Sequence, residues 1–131
     1  MTMVFLGELA ADQAKAMHAI GERTPMHGFS LQMAGAGCWA HNHIAWLAPA
    51  VTPEPLAHLV KDLRRNVRDA GVVIERRPFT PHVSLLRNAQ CRPVETKIAL
   101  FEWRVQDFVL VRSRRDADTS RYEILGRWPA R

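Results

Sequence analysis

The sequence has 131 residues, 47% hydrophobic and 24% charged, which excludes a disordered chain and a fibrous repeat. No stretch reaches the roughly 18 consecutive apolar residues of a membrane-spanning helix, and Met1–Glu8 lacks the basic start of a secretory signal. The formal net charge is +5, and Lys15, Lys61 and Lys97 are its three lysines, leaving 15 arginines among 18 basic residues. The planar arginine fork matches phosphate oxygens, so this balance permits an RNA or nucleotide substrate. Arginine-rich codon usage would place the same residues at any exposed site, so charge alone decides nothing.

In chain order, Thr2 to Leu6 reads as a strand already in progress. Leu9 to Glu22 is rich in helix formers, with Leu9, Ala16, Met17 and Ile20 sharing one face. Gly21 weakens its last turn, and Thr24-Pro25 ends it. Phe29 to Met33 alternates apolar and polar residues as a half-buried strand, followed by a turn at Gly35-Ala36-Gly37 and a strand over His43–Leu47. The second helix carries Leu56, Leu59, Val60, Leu63 and Val67 at helical spacing, against Lys61, Asp62, Arg64, Arg65 and Arg68. Thr52 can cap it, Pro53 suits its first turn, and Gly71 can terminate it.

Beyond Pro78 and Pro81, His82 to Leu86 reads as a short strand. Arg104–Ser113 and Arg121–Trp128 read as two further strands, joined by the polar stretch Arg114–Ser120. One domain without linkers follows, of the α+β class with mostly antiparallel pairing. Cys38 and Cys91 lie far apart and outside any C-x-x-C pattern. They read as thiols of a reduced, cytoplasmic protein, not as a disulfide framework or metal ligands.

The segment richest in chemistry is Arg77-Pro78-Phe79-Thr80-Pro81-His82-Val83-Ser84-Leu85-Leu86-Arg87. On a strand, His82 and Ser84 project to the same face. An imidazole beside a hydroxyl suits a phosphate, one group moving a proton and the other holding an oxygen. Bare H-x-S is a weak signal, and such a pair is usually structural. His41 and His43 could share a strand face as metal ligands, but no third ligand stands at a sensible spacing. His18, His27 and His58 read as surface or helix-face residues. Arg64, Arg65 and Arg68, and the C-terminal Arg112, Arg114, Arg115 and Arg121, could guide an RNA strand or simply form solvated faces.

The context of His82 is more specific. Pro-His-hydrophobic-Ser-Leu-x-Arg after Arg-Pro-Phe resembles the second signature of the 2H phosphoesterases. The likeness is greatest to the bacterial RNA 2′,3′-cyclic phosphodiesterases, also called 2′-5′ RNA ligases. Phe29–Trp39 followed by His43-Ile44-Ala45-Trp46-Leu47 resembles that family's central strand pair. Phe101-Glu102-Trp103, Phe108-Val109-Leu110, Arg121-Tyr122 and Arg127-Trp128 resemble its C-terminal hairpin. Thr2-Met3-Val4-Phe5-Leu6-Gly7-Glu8 is similar to the residues after the His of the first signature, His-x-Thr-x-x-Phe-Leu-Gly.

The resemblance implies a bilobal fold of mostly antiparallel sheets with flanking helices, here without the family's N-terminal strand and helix. It also implies hydrolysis of an RNA-terminal 2′,3′-cyclic phosphate to a 2′-phosphomonoester, with reversible 2′-5′ joining of RNA ends as a related capacity. RNA ends or cyclic nucleotides are the implied partners, and no metal or nucleotide cofactor is implied. One His serves as general base and the other as general acid. On this pattern His82, Ser84 and Thr2 are catalytic, and Arg87 binds the phosphate. Phe5 either stacks on a base or packs in the core. Arg87 differs in parity from His82 and Ser84, so its role requires the strand to twist, bulge or end near Leu86.

The first signature would place its His just before Met1. Either Met1 is an internal methionine of a longer chain, or a product starting at Met1 has lost its second imidazole. Loss of one acid–base partner forfeits about 10²–10⁴ in rate, so the 131-residue chain by itself is expected to be impaired. The alternative function is a non-catalytic RNA- or nucleotide-binding domain descended from such an enzyme. A missing strand would also leave a sheet edge through which the chain self-associates.

Overall fold

The computed structural model describes residues 1–92, 99–116 and 119–131. The elements are α1 (Ala11–Arg23), β1 (Phe29–Trp39), β2 (Ile44–Pro49), α2 (Glu54–Asp69), β3 (Val83–Leu86), β4 (Phe101–Val105), β5 (Asp107–Asp116) and β6 (Thr119–Pro129). They build a four-stranded antiparallel sheet in the order β3-β2-β1-β4 and a separate antiparallel pair, β5-β6. This is the expected α+β architecture.

The amphipathic stripe decides where α2 sits. Leu56, Leu59, Val60, Leu63 and Val67 are all buried. Leu56 and Val60 close over Leu31 and Met33 of β1, with Leu47 and Val83 packed at the margin. Burying one such side chain is worth about 1.5–3 kcal/mol. The helix starts one residue later than the sequence suggests, with Pro53 rather than Thr52 as its N-cap. Pro55 stands in the first turn, where a missing N–H costs nothing. Its end is as expected. Gly71 adopts φ 79°, and its N–H donates to Arg68 O at 2.8 Å, while Val72 N–H donates to Val67 O at 3.2 Å. These two bonds form a Schellman cap that only a left-handed residue allows.

Helix α1 packs on the β5-β6 ribbon through the Trp128 indole. Trp128 stacks beside Phe108 at 5.2 Å, and a Cβ at Gly21 or Gly126 would run into its ring. Thr24 ends α1 with its hydroxyl donating to Ile20 O at 2.8 Å. Asn66 of α2 donates to the same hydroxyl, joining the two helices.

Four expectations fail here, each for a non-local reason. Thr2–Leu6 forms no strand among the described residues; Met3, Val4 and Leu6 instead pack as irregular chain against the core. Gly35-Ala36-Gly37 is not a turn but lies inside β1, paired with Ala48, Leu47 and Trp46. The turn comes at residues 40–43. Arg104–Ser113 is not one strand, because the chain changes sheets at Gln106: β4 pairs with β1, and β5 pairs with β6. The hairpin also takes up most of Arg114–Ser120, apart from residues 117 and 118, which lie outside the described set.

Cys38 and Cys91 are not free thiols. They form a disulfide with a Cα–Cα distance of 5.5 Å across 53 residues of sequence. Continuation of β1 sets Cys38 opposite Ala45, which in turn faces Leu86 of β3. The chain leaving β3 then turns at Asn88 (φ 56°), and Ala89 N–H donates to His43 O at 2.8 Å, which returns Cys91 towards β1. The reading of the two cysteines as free thiols does not survive this pairing. No helix among the described residues is long and apolar enough to cross a membrane.

Candidate active site

The site is built on the edge strand β3. Val83 turns its side chain to the α2 face, against the Leu31–Met33 cluster. By the period of two, His82 and Ser84 belong to the opposite face. Ser84 pairs across from Trp46 and Val83 across from Leu47, which keeps that alternation through the neighbouring strand. On that alternation His82, just before β3, and Ser84, within it, share a side of the sheet edge.

The His82 ring is held on two sides. Its Nδ1–H donates to Thr80 O at 2.8 Å, because a carbonyl can only accept. That bond leaves Nε2 as the nitrogen able to take or give a proton. The Trp39 ring meets the imidazole edge-on at a centroid distance of 4.6 Å. Trp39 in turn lies 5.6 Å from Trp46, so two indoles form the wall beside His82. The Trp46 Nε1–H is buried and has no hydrogen-bond partner among the described residues.

Gly37 makes this wall possible. A Cβ there would lie 2.5 Å from the Trp46 ring, a distance that any other residue would have to relieve by displacing a rigid indole. The sequence pattern presents this glycine as part of a turn and gives Trp39 and Trp46 no role. The usable signal is the pair of small residues at 35 and 37 facing a tryptophan on the next strand.

The register between β2 and β3 shifts after Ser84. Trp46 faces Ser84 and Ala45 faces Leu86, so Leu85 is an extra residue. Such a bulge resets the alternation, and the position after Leu86 returns to the Ser84 side. The parity objection to Arg87 is thereby removed. Arg87 is exposed at the strand exit.

Thr2 and Phe5 lie on the irregular N-terminal segment. Met1 and Met3 pack against the Leu31, Met33, Leu56 and Val60 cluster, on which Phe79 and Val83 also pack. Thr2 is exposed. Phe5 is 76% exposed, which rules out core packing for its ring. His41 and His43 are not on a strand face. Both sit in the turn before β2, with His43 at φ 54°. His18 of α1 is occupied by the β5-β6 hairpin, its Nε2–H donating to Leu125 O at 2.7 Å.

The sequence pattern of the 2′-5′ RNA ligase superfamily matches residues 1–117. The RNA 2′,3′-cyclic phosphodiesterase of Escherichia coli (strain K12) is 34% identical over 130 residues, covering 98% of this chain and 73% of that protein. The chain belongs to this superfamily, the 2H phosphoesterases. It is a family of enzymes. The crystal structure of E. coli LigT complexed with 3′-AMP superposes with a TM-score of 0.88 at 32% identity, covering 98% of this chain and 75% of LigT. A Thermus thermophilus protein superposes with a TM-score of 0.77 at 26% identity, with 98% and 75% coverage. The fold expected from the sequence, two antiparallel sheets with flanking helices, is thus the fold of this family.

Proposed function

We propose that this protein opens RNA-terminal 2′,3′-cyclic phosphates to 2′-phosphomonoesters. The observation that carries the reading is the placement of His82 at the entry to β3, two residues from Ser84 within it, in a chain of this superfamily. Its E. coli relative bears that activity in its name, and LigT was crystallised with a nucleotide, 3′-AMP. In the proposed reaction water attacks phosphorus, the bond from phosphorus to the ribose O3′ breaks, and O3′ leaves with a proton. His82, its tautomer set by Thr80 O, is one of the proton-transfer groups. Ser84 and Thr2 hold the non-bridging oxygens, Arg87 balances the phosphate charge and Phe5 stacks on a base. With an RNA 5′-hydroxyl in place of water, the same displacement joins ends 2′-5′.

The test is hydrolysis of a 2′,3′-cyclic mononucleotide by the purified chain and its His82→Ala variant. Turnover that falls about 10²–10⁴-fold in the variant is the expected result. A second reading, an RNA- or nucleotide-binding domain without turnover, draws on the fact that the 131 residues hold one complete H-x-S motif, at His82. Salt-dependent RNA binding with no product in either protein would establish that reading instead. Self-association is also part of the proposal. It would run through an exposed sheet edge, and light scattering showing a clean monomer at high concentration would refute it.

A further inference from the structure

A second feature lies on the other side of β3 from His82. Helix α2 and the segment Arg76–Phe79 enclose an open groove of about 370 Å³. Its rim carries Lys61, Arg64, Arg68, Arg76 and Arg77, and its floor includes Val60 and Phe79. The sequence leaves the α2 arginines as either guides for an RNA strand or a solvated face, and in the structure they border a built groove. Arg64 donates to the backbone carbonyls of Arg77, at 2.9 Å, and Glu75, clamping the loop to the helix. Glu75 is occupied by Arg77. Lys61, Arg68 and Arg76 make no ion pair or side-chain hydrogen bond among the described residues. All three are exposed, and together with Arg64 and Arg77 they give the groove a positive potential that attracts anions.

We propose that this groove binds the phosphodiester backbone of the RNA strand whose cyclic end occupies the His82 site. The inference rests on the functional reading above. Cations at the rim and apolar surface on the floor suit alternating phosphates and flat bases. The path is short. Phe79 lies on the floor and His82 follows three residues later, a separation of at most about 11 Å along the backbone. Among the described residues β3 is the edge of its sheet, so a single strand can pass from the groove over that edge to the imidazole. Substrates with several nucleotides then gain contacts that a mononucleotide lacks.

The experiment measures binding of a single-stranded RNA of about 12 nucleotides, within the span of such grooves, with an ordinary 3′-hydroxyl that needs no turnover, as salt is varied. The Arg68→Gln/Arg76→Gln double variant should bind about tenfold more weakly. Its log–log salt slope should shrink by about 1.4, the loss of two phosphate contacts. A matched control removes two exposed α1 charges, Lys15→Gln/Arg23→Gln, and should keep the wild-type slope. Circular dichroism checks that both variants fold. Equal losses in the two variants would show diffuse attraction and overturn the groove. Competition by polyglutamate as effective as by RNA would overturn the assignment to a nucleic acid. Hydrolysis of a cyclic mononucleotide is measured alongside, so failure of the catalytic reading is seen separately from failure of the groove.

Discussion

Opening the Cys38–Cys91 bridge should destabilise this protein as much as a large truncation in its core. The bridge closes a separation of 53 residues. In the chain-entropy account a loop of that size restricts the unfolded state by about 14 cal/mol/K, or about 4 kcal/mol at 25 °C. For 131 residues the unfolding entropy near 60 °C is about 275 cal/mol/K, so the loss corresponds to a fall in Tm of about 15 °C. The measurement is thermal unfolding of the full chain with and without dithiothreitol, and of Cys91→Ser without it. Reductant should lower the Tm of the native chain to that of Cys91→Ser and leave the variant unmoved. Cys38 adjoins Trp39, so turnover at the His82 site should fall in the same samples. A Tm insensitive to reductant, or two titratable thiols in the unreduced protein, would refute the reasoning.

Gly37→Ala places a methyl group against the Trp46 indole and should cost about 1–3 kcal/mol; denaturant unfolding gives the value, and tryptophan fluorescence should shift as the indole moves. Leu56→Ala empties a fully buried position beneath β1 and should cost about 2–5 kcal/mol, readable from the shift in urea midpoint at constant slope. On the hairpin, hydrogen bonds from Arg112 and its charge hold the Glu123 carboxyl below its usual value of 4.5. A lowered folded value means that this contribution is present above pH 4.5 and is lost as pH falls through the folded value. Glu123→Gln should therefore remove part of the acid sensitivity below pH 4.5, and an unchanged acid-unfolding curve would contradict it.

Much of the site was legible without coordinates, because it depends on periods that one element carries alone. The five apolar residues of α2 recur at the spacing that buries one helical face, and Gly71 marks the left-handed end. His82 and Ser84 stand two apart after two prolines, so any strand there presents them together. Their resemblance to a known signature pointed to the family that the relatives then showed. What escaped was decided by partners distant in sequence. Glycines 35 and 37 look like a turn until the Trp46 indole of the neighbouring strand occupies the space that their missing side chains leave. Gln106 carries no mark of a boundary, yet the strands on either side find partners in different sheets. Cys38 and Cys91 have no informative spacing, and only a strand running through to Trp39 and a turn at Asn88 bring them together. Local patterning thus indicated which residues share a face wherever an element stays regular, as along α2, since neighbouring side chains there are fixed by backbone period. Tertiary packing alone settled what each face meets, since that depends on chain segments whose sequence separation holds no record of their contact.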